Sequence, residues 1–247
     1  MTAAEKASRG KPTDLIGKAR QQGRAALDEA SGKALLAHYG VTVPRTKVVT
    51  SAQQVESALD SLQLPVVVKV VSPEILHKSD AGGVRVNLET ADAVRDAISE
   101  MSKLPAIRAA RVEGWLIEEM APAGQEMVIG GLRDPDFGPL VMLGLGGIFV
   151  EVLKDVSFRI CPISRIDAEE MIDELKGAPV LKGARGRKPA SREAIIEALL
   201  KIGGDNGLLV ELENDIEEAD VNPLIVSETR AVAVDARFIL RTTSEPR

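Results

Sequence analysis

The stretch of this 247-residue sequence that decides the fold is residues 65–84, PVVVKVVSPEILHKSDAGGV. Its first seven residues form a short, valine-rich apolar run, which predicts a buried β-strand. A polar loop follows, and GVRVNLE at 83–89 then alternates apolar and polar residues, which predicts a half-buried strand. The stretch therefore predicts sheet strands joined by a polar loop that contains two glycines.

Helices and strands alternate around this stretch. Apolar stripes at helical spacing occur at 55–62 and 94–101, and VEGWLIEEM at 112–120 is typical of a further strand. Beyond residue 120, the segments QEMVIGGLR, PLVMLGLGG and VSFRICPI are separated by turn signals and predict an antiparallel sheet. Two helices and a hairpin complete the chain. The pattern predicts an α+β fold.

The predicted elements fall into two lobes. We expect one lobe at 23–117 and the other at 118–247, because the apolar strand 112–120 lies between two groups of elements. Residues 1–22 are small, polar and basic without periodicity, which predicts a flexible N-terminal tail.

The composition excludes several classes of function. The net charge of −6 and a pI near 5.2 argue against binding to nucleic acid or to an anionic membrane, both of which need a basic face. No apolar run reaches the ~18 residues of a membrane-spanning helix, and the N-terminus lacks the apolar core of a signal peptide. The single Cys161 lies in an apolar run and is expected to be a buried, unreactive thiol. These features predict a cytoplasmic protein.

Lys69 and His77 are the chemically notable residues of the opening stretch. A lysine in the middle of a buried strand needs an anion, and a ligand phosphate is one candidate; an edge-strand lysine that reaches water is the alternative. His77 follows in the loop, where Gly82 and Gly83 let the backbone approach a ligand closely. A neutral imidazole accepts phosphate readily near neutral pH, whereas a loop histidine often serves only as a surface hydrogen-bonding group.

The C-terminal hairpin predicts a metal site. In IEEADVNPLIV the strand period places Glu218, Asp220 and Asn222 on one face. A tight turn at 228–229 sets Asn222 opposite Asp235 on the returning strand, with β-carbons ~5 Å apart. One carboxylate and one amide oxygen form a sparse site of hard oxygen ligands, which suits a magnesium ion that also takes oxygens from nucleotide phosphates. A polar strand face without a metal is the alternative.

Other sites find little support. Glu118 and Glu119 are adjacent on a strand and must point to opposite faces, so one of them at most enters a cleft. The chain lacks both GxxxxGK[ST] and a GxGxxG after a strand, which argues against a P-loop and a Rossmann site. One cysteine and two histidines make a zinc site or a Ser-His-Asp triad improbable.

Three segments resemble one known family. They are PVVVKVVSPEILHKSDAGGVRV, the run from LIEEMAPAGQEMVIGG to DVSFRICPI, and ADVNPLIV. They are similar to the ATP-grasp family of NDP-forming acyl-CoA synthetases, with the beta subunit of ADP-forming acetyl-CoA synthetase as the nearest type. The resemblance extends from about residue 23 to residue 240. It implies an ATP-grasp fold, in which two α+β lobes grip the nucleotide, and the cofactors ATP/ADP and Mg²⁺.

The resemblance also implies roles for individual residues. Lys69 would contact the nucleotide phosphates. Glu118, Glu119 and Met120 would form the adenine-binding hinge, and Glu126 would lie near the ribose. Asn222 and Asp235 match magnesium ligands of related beta chains. His77 matches the histidine that becomes phosphorylated on this subunit, and Asp220 matches the acidic residue that steadies it.

The resemblance implies a partner as well. The CoA-binding half of these enzymes has no counterpart in this sequence, so we expect an alpha-type CoA-binding subunit or domain and a hetero-oligomer. Two alternatives have different consequences. A nucleotide-sensing regulatory module, such as one fused to an acetyltransferase, would bind nucleotide without turnover, and a ligase that forms free acyl phosphate would not need His77. Acetate, longer acids, aryl acids and succinate all remain candidate substrates, as do ADP and GDP.

Overall fold

The computed structural model describes residues 11–75, 78–147, 153–183 and 188–242, which form two compact units. The smaller unit is Pro44–Ala121, and the larger unit contains the described residues of Met1–Val43 and Pro122–Arg247. Within the described ranges, every helix is too short or too polar to cross a bilayer.

The first half of the chain alternates helices with the strands of the smaller unit. The elements are α1 (Pro12–Gln21), α2 (Glu29–His38), β1 (Thr46–Val49), a 3₁₀ turn (Ala52–Gln54), α3 (Val55–Leu59), β2 (Val66–Val71), β3 (Val84–Leu88), α4 (Ala91–Met101), α5 (Pro105–Ala109) and β4 (Gly114–Glu119).

The second half contributes the rest of the larger unit. Its elements are β5 (Gln125–Asp134), β6 (Gly138–Leu145), β7 (Val156–Ile160), α6 (Arg165–Glu174), a 3₁₀ turn (Ala178–Lys182), α7 (Arg192–Gly203), α8 (Leu208–Glu211), β8 (Ile216–Val226), β9 (Ala231–Ala233) and β10 (Arg237–Leu240).

The smaller unit is an antiparallel sheet in the order β1-β4-β2-β3. Val66, Val68 and Val70 of β2 point to one face, where they pack with Trp115, Ile117 and the apolar side of α4. The alternate residues of β2, including Lys69, lie on the opposite face. The predicted buried strand is confirmed.

The larger unit is an antiparallel sheet in the order β10-β8-β5-β6-β7, with β9 also paired to β8. Helices cover one face, where Met127 and Ile129 of β5 and Leu143 of β6 lie in the core. The other face carries the alternate residues, among them Gly130 of β5 and its strand partner Asp220 of β8. The predicted antiparallel sheet and the α+β class are both confirmed.

The predicted flexible tail at 1–22 is wrong for its second half. Residues 12–21 form α1, which begins with a proline in its first turn and buries Ile16 and Ala19 in the core of the larger unit. The helix was missed because only a narrow apolar stripe interrupts its polar and basic residues, and packing rather than a strong sequence pattern stabilises it. Residues 1–10 lie outside the described residues.

The structure also divides the chain differently from the predicted lobes 23–117 and 118–247. Residues 11–43 belong to the same unit as the C-terminal sheet. The reason is direct main-chain pairing: the N–H of Leu27 donates to the C=O of Phe238 at 3.0 Å, and the N–H of Ala233 donates to the C=O of Thr42 at 2.9 Å. Such long-range pairing leaves no local signal in the sequence.

Candidate functional site

The hairpin formed by β8 and β9 has the predicted register. Val226 is paired with Ala231, and the same register continues beyond β9 to a hydrogen bond in which the N–H of Asn222 donates to the C=O of Asp235 at 3.2 Å. The prediction that Asn222 and Asp235 lie opposite each other is therefore confirmed. Their backbones are held together by this bond, so their side chains start from adjacent positions.

A bulge in β8 lies at this point of the hairpin. Met127 of β5 pairs with Leu224 and Ile129 pairs with Val221, so Asn222 and Pro223 together face a single residue of β5. The bulge changes the alternation of buried residues, which fall at Ala219 and Val221 before it and at Leu224 and Val226 after it. Asn222 is exposed as a result and Asp235 is half-buried, so neither side chain lies in the apolar core.

Acidic side chains gather beside this pair. Asp220 lies one β-repeat before Asn222, and burial raises the pKa of its carboxyl group, with further increases from the negative charges of Glu218 and Asp235. Arg237, the strand partner of Asp220, acts in the opposite direction. The result is a local excess of negative charge, which favours bound cations and protonated groups.

These residues fit a divalent cation. Asp235 offers a carboxylate whose Oδ1 accepts from the N–H of Ala236 at 2.8 Å, and Asn222 offers an amide oxygen from the opposite strand. Both are the hard oxygen ligands that Mg²⁺ prefers. In the described part of the chain, no three His, Cys, Asp or Glu side chains come together at metal-binding distance. The expected ligands are Asn222 and Asp235.

Lys69 lies in the smaller unit, and its ammonium group meets a carboxylate of the same sheet. Its Nζ is 3.1 Å from Oε1 of Glu118 on the neighbouring strand β4, and the side chains are 8% and 0% exposed. The prediction that a buried Lys69 requires an anion is confirmed in this form. The alternative of an edge-strand lysine that reaches water is wrong, because β2 lies between β4 and β3.

Glu118 and Glu119 point to opposite faces, as the strand period predicts. Glu119 pairs with Arg45 at 2.6 Å and accepts from the N–H of Gln63 at 2.7 Å. Met120 follows the strand half-buried, and its N–H donates to the C=O of Pro65 at 3.3 Å. The three expected hinge residues thus end β4 beside the start of β2.

The backbone geometry of the loop explains why glycine occupies both positions 82 and 83. Gly82 has a φ of 70°, and a Cβ on Gly83 would lie 2.5 Å from Cγ1 of Val70. The N–H of Gly83 donates to the C=O of Lys78 at 2.7 Å, which closes the loop, and the C=O of Gly83 accepts from the N–H of Val70 in β2 at 2.8 Å. His77 lies outside the described residues. Its expected phosphorylation and the expected contact of the glycines with a ligand stay predictions.

Glu126 lies near the start of β5 in the larger unit. Its side chain is exposed, and its C=O accepts from the N–H of Gly146 at 2.8 Å. A Cβ at Gly146 would be 2.8 Å from the Cβ of Glu126, so only glycine permits this contact. The glycine-rich turn after β6 therefore packs against the backbone of Glu126.

Arg237 is a charged neighbour of the site that sequence reasoning missed. It faces Asp220 across β8 and β10. The signal was present, because the hairpin register that sets Asn222 opposite Asp235 also sets residue 237 opposite residue 220. The guanidinium group of Arg237 offers no ligand oxygen, so the pattern of candidate metal ligands does not include it.

The chain is similar to known proteins over nearly all of its length. Residues 18–240 match the ATP-grasp domain family. The chain is 44% identical over 232 residues to the beta subunit of ADP-forming acetate–CoA ligase I from Pyrococcus furiosus, covering 93% of this chain and 98% of that protein. It is 38% identical to ADP-forming acetate–CoA ligase I from Archaeoglobus fulgidus, over 94% of this chain but only 33% of that longer protein.

A solved structure agrees. Dinucleotide-forming acetyl-coenzyme A synthetase 1 from Ca. Korarchaeum cryptofilum was solved with coenzyme A and Mg-AMPPCP, its phosphohistidine segment pointing towards the nucleotide-binding site. It matches with a TM-score of 0.82 and 43% identity, covering 94% of this chain and 100% of that chain. The likeness in sequence and in fold has one explanation: this chain belongs to the ATP-grasp domain family and, within it, to the beta subunits of ADP-forming acyl-CoA ligases.

Proposed function

We propose that the chain is the nucleotide-binding part of an ADP-forming acyl-CoA ligase and transfers phosphate between a phosphohistidine and ADP or ATP. The observation that carries this proposal is the juxtaposition of Asn222 and Asp235 in a chain that is 44% identical to an ADP-forming acetate–CoA ligase beta subunit. A pair of oxygen ligands beside the acidic Asp220 supplies what a magnesium nucleotide and a phosphorylated imidazole need.

The proposed step moves one phosphoryl group. In the direction of ATP synthesis, an oxygen of the β-phosphate of ADP forms a bond to phosphorus while the bond from phosphorus to the ring nitrogen of His77 breaks. The ring nitrogen then regains a proton. Positioning of the reactants and neutralisation of their charge provide most of the rate enhancement in such a transfer.

The charged residues divide this task. Lys69 would contact the nucleotide phosphates, and its buried ion pair with Glu118 holds the ammonium group at a defined position. Asn222 and Asp235 would bind the magnesium ion, which lowers the charge repulsion among the phosphates. The surroundings of Asp220 are negative, so Asp220 would stabilise positive charge on the protonated or phosphorylated imidazole ring of His77. Glu118, Glu119 and Met120 would flank the adenine, with Glu126 at the ribose.

A partner belongs to the same proposal. The relative from Archaeoglobus fulgidus is a longer protein of which this chain matches 33%. We infer that a CoA-binding alpha-type subunit or domain handles the acyl phosphate and exchanges phosphate with this chain. The two would form a hetero-oligomer. The partner would also select the acyl group.

The test is phosphorylation of the purified chain. Incubation with magnesium and ATP labelled at the γ-phosphate is expected to give protein-bound label that is acid-labile and alkali-stable, as a phosphoramidate is. The chain has only two histidines, so the variants His77→Ala and His38→Ala form a matched pair. We expect His77→Ala to abolish labelling and His38→Ala to retain it.

Two other results would overturn the proposal. Tight nucleotide binding without label, even after addition of an alpha-type protein, would identify a nucleotide-sensing module. Ligase activity that survives in His77→Ala would identify a ligase that forms free acyl phosphate.

A further inference from the structure

Residues 25–42, which precede β1, form hydrogen bonds to the chain on both sides of Asp235. On one side of Asp235, the N–H of Ala233 donates to the C=O of Thr42 at 2.9 Å. On the other side, the N–H of Leu240 donates to the C=O of Ala25 at 2.8 Å. Helix α2 runs between these two attachments. Asp235 therefore lies in a short stretch of chain that is held at both ends by one helical segment.

Helix α2 also contacts this stretch at its middle. A Cβ on Gly32 would lie 2.9 Å from the C=O oxygen of Ala236 and 3.3 Å from the ring of Phe238, so the bare helix backbone rests on these residues. Ala236 in turn donates its N–H to Oδ1 of Asp235 at 2.8 Å. A continuous path of contacts thus joins α2 to the carboxylate of Asp235.

A buried ion pair lies beside this contact. Nζ of Lys33 is 2.7 Å from Oε1 of Glu29, one turn earlier in α2, and the side chains are only 3% and 6% exposed. Burying two charges is expensive, and the loss of one partner destabilises the fold far more than the loss of an exposed pair does. The pair has no part in the proposed phosphate chemistry. Lys33 directly follows Gly32 in α2, so loss of one charge of the pair would favour a displaced α2 in which the remaining charge reaches water.

We propose that Lys33, through its ion pair with Glu29, is a positioning residue for the cation site. The pair keeps α2 seated so that the backbone at Gly32 supports Ala236, which holds the carboxylate of Asp235 opposite Asn222. The inference rests on the proposed function, because it assumes that Asp235 binds the magnesium of a nucleotide.

The test compares the affinity of the full chain for MgADP with its affinity for ADP in EDTA, both by calorimetry. The ratio of these two affinities is the MgADP advantage. We expect Lys33→Met to reduce this ratio by about 10-fold, which is the scale on which supporting residues affect metal affinity. Its affinity for ADP in EDTA should match that of the wild type. Arg24→Met is the matched control, because Arg24 also forms an i,i+4 ion pair, with Asp28, but is more exposed. The control should keep the full advantage of MgADP.

A rescue variant keeps the test decisive if Lys33→Met folds poorly. Glu29→Leu with Lys33→Met removes both charges, and apolar replacement of a buried pair is often neutral or stabilising. We expect this double variant to recover the MgADP advantage. Failure to recover in a folded double variant would overturn the positioning role through α2, as would an unchanged advantage in folded Lys33→Met.

Asp235→Asn separates this inference from the function on which it rests. If Asp235→Asn retains the full MgADP advantage, the proposed metal ligand is wrong, whatever Lys33 does. If Asp235→Asn loses the advantage while Lys33→Met behaves like Arg24→Met, the proposed function stands and the role of Lys33 is refuted.

Discussion

Nζ of Lys69 lies 3.1 Å from Oε1 of Glu118, on the face of the smaller sheet opposite Val66, Val68 and Val70. The two residues are on neighbouring strands, where the partner of Lys69 is Leu116 and the partner of Glu118 is Val67. Their side chains meet diagonally across the sheet. A ligand phosphate at Lys69 would therefore join a charge pair that already exists.

Removal of Lys69 should affect both stability and nucleotide binding. Lys69→Met removes the cation beside a fully buried carboxylate, and we expect the free energy of unfolding to fall by about 3 kcal/mol in urea denaturation. The double variant Lys69→Met with Glu118→Leu should regain most of this loss without regaining affinity for ADP. Lys47→Met, an exposed lysine on β1, should stay within about 0.5 kcal/mol of the wild type. Tight ADP binding by the double variant would contradict the role of Lys69.

Asp220 should make the fold less stable as the pH rises. Burial, followed by the charges of Glu218 and Asp235, raises its pKa. The folded state then holds its proton more tightly than the unfolded state, so stability falls as the pH rises from about 3.9, the ordinary value, through the raised value. Asp220→Asn should melt at a higher temperature than the wild type at pH 7, and the difference should vanish in acid.

Asp173 provides a control of opposite sign for this pH dependence. The hydrogen bond from Arg192 lowers the pKa of its carboxyl group, so its contribution to stability is present above the ordinary value and is lost as the pH falls through the lowered value. Asp173→Asn should melt below the wild type at pH 7. Equal shifts for the two variants at pH 7 would refute the electrostatic explanation.

Two glycines should respond to alanine in opposite ways. Gly17 lies within α1 with no atom near the position of a Cβ, so Gly17→Ala should raise the free energy of unfolding by about 0.5–1 kcal/mol. A Cβ at Gly124 would lie 2.4 Å from the C=O oxygen of Val226, so Gly124→Ala should lower it by about 1–3 kcal/mol. A destabilised Gly17→Ala would argue against the helix at 12–21.

Cys161 should be unreactive in the folded chain. It is 8% exposed, and burial raises the pKa of its thiol to about 12, so little thiolate exists at pH 8. A chromogenic disulfide reagent should modify it only at the rate of unfolding, and fully in denaturant. Rapid modification of the native chain would show that this part of the core opens.

The hairpin register of the candidate site could be predicted because its geometry is local. The hairpin turn and the two-residue period of a strand together place Asn222 opposite Asp235, and both are short-range properties of the chain. The predicted strand around Lys69 follows in the same way from an apolar run. The role of His77 is implied by the family resemblance alone, and His77 lies outside the described part of the chain.

The sequence by itself determined the antiparallel strands, the hairpin register and the acidic character of the site, since each depends on neighbouring residues. Only the tertiary structure decided that Glu118 is the anion beside Lys69, that residues 12–21 are helical, and that residues 11–43 pack with the C-terminal sheet. These features depend on contacts between residues that are far apart in the chain. Burial on a distant surface, which no local pattern encodes, supplies their stability.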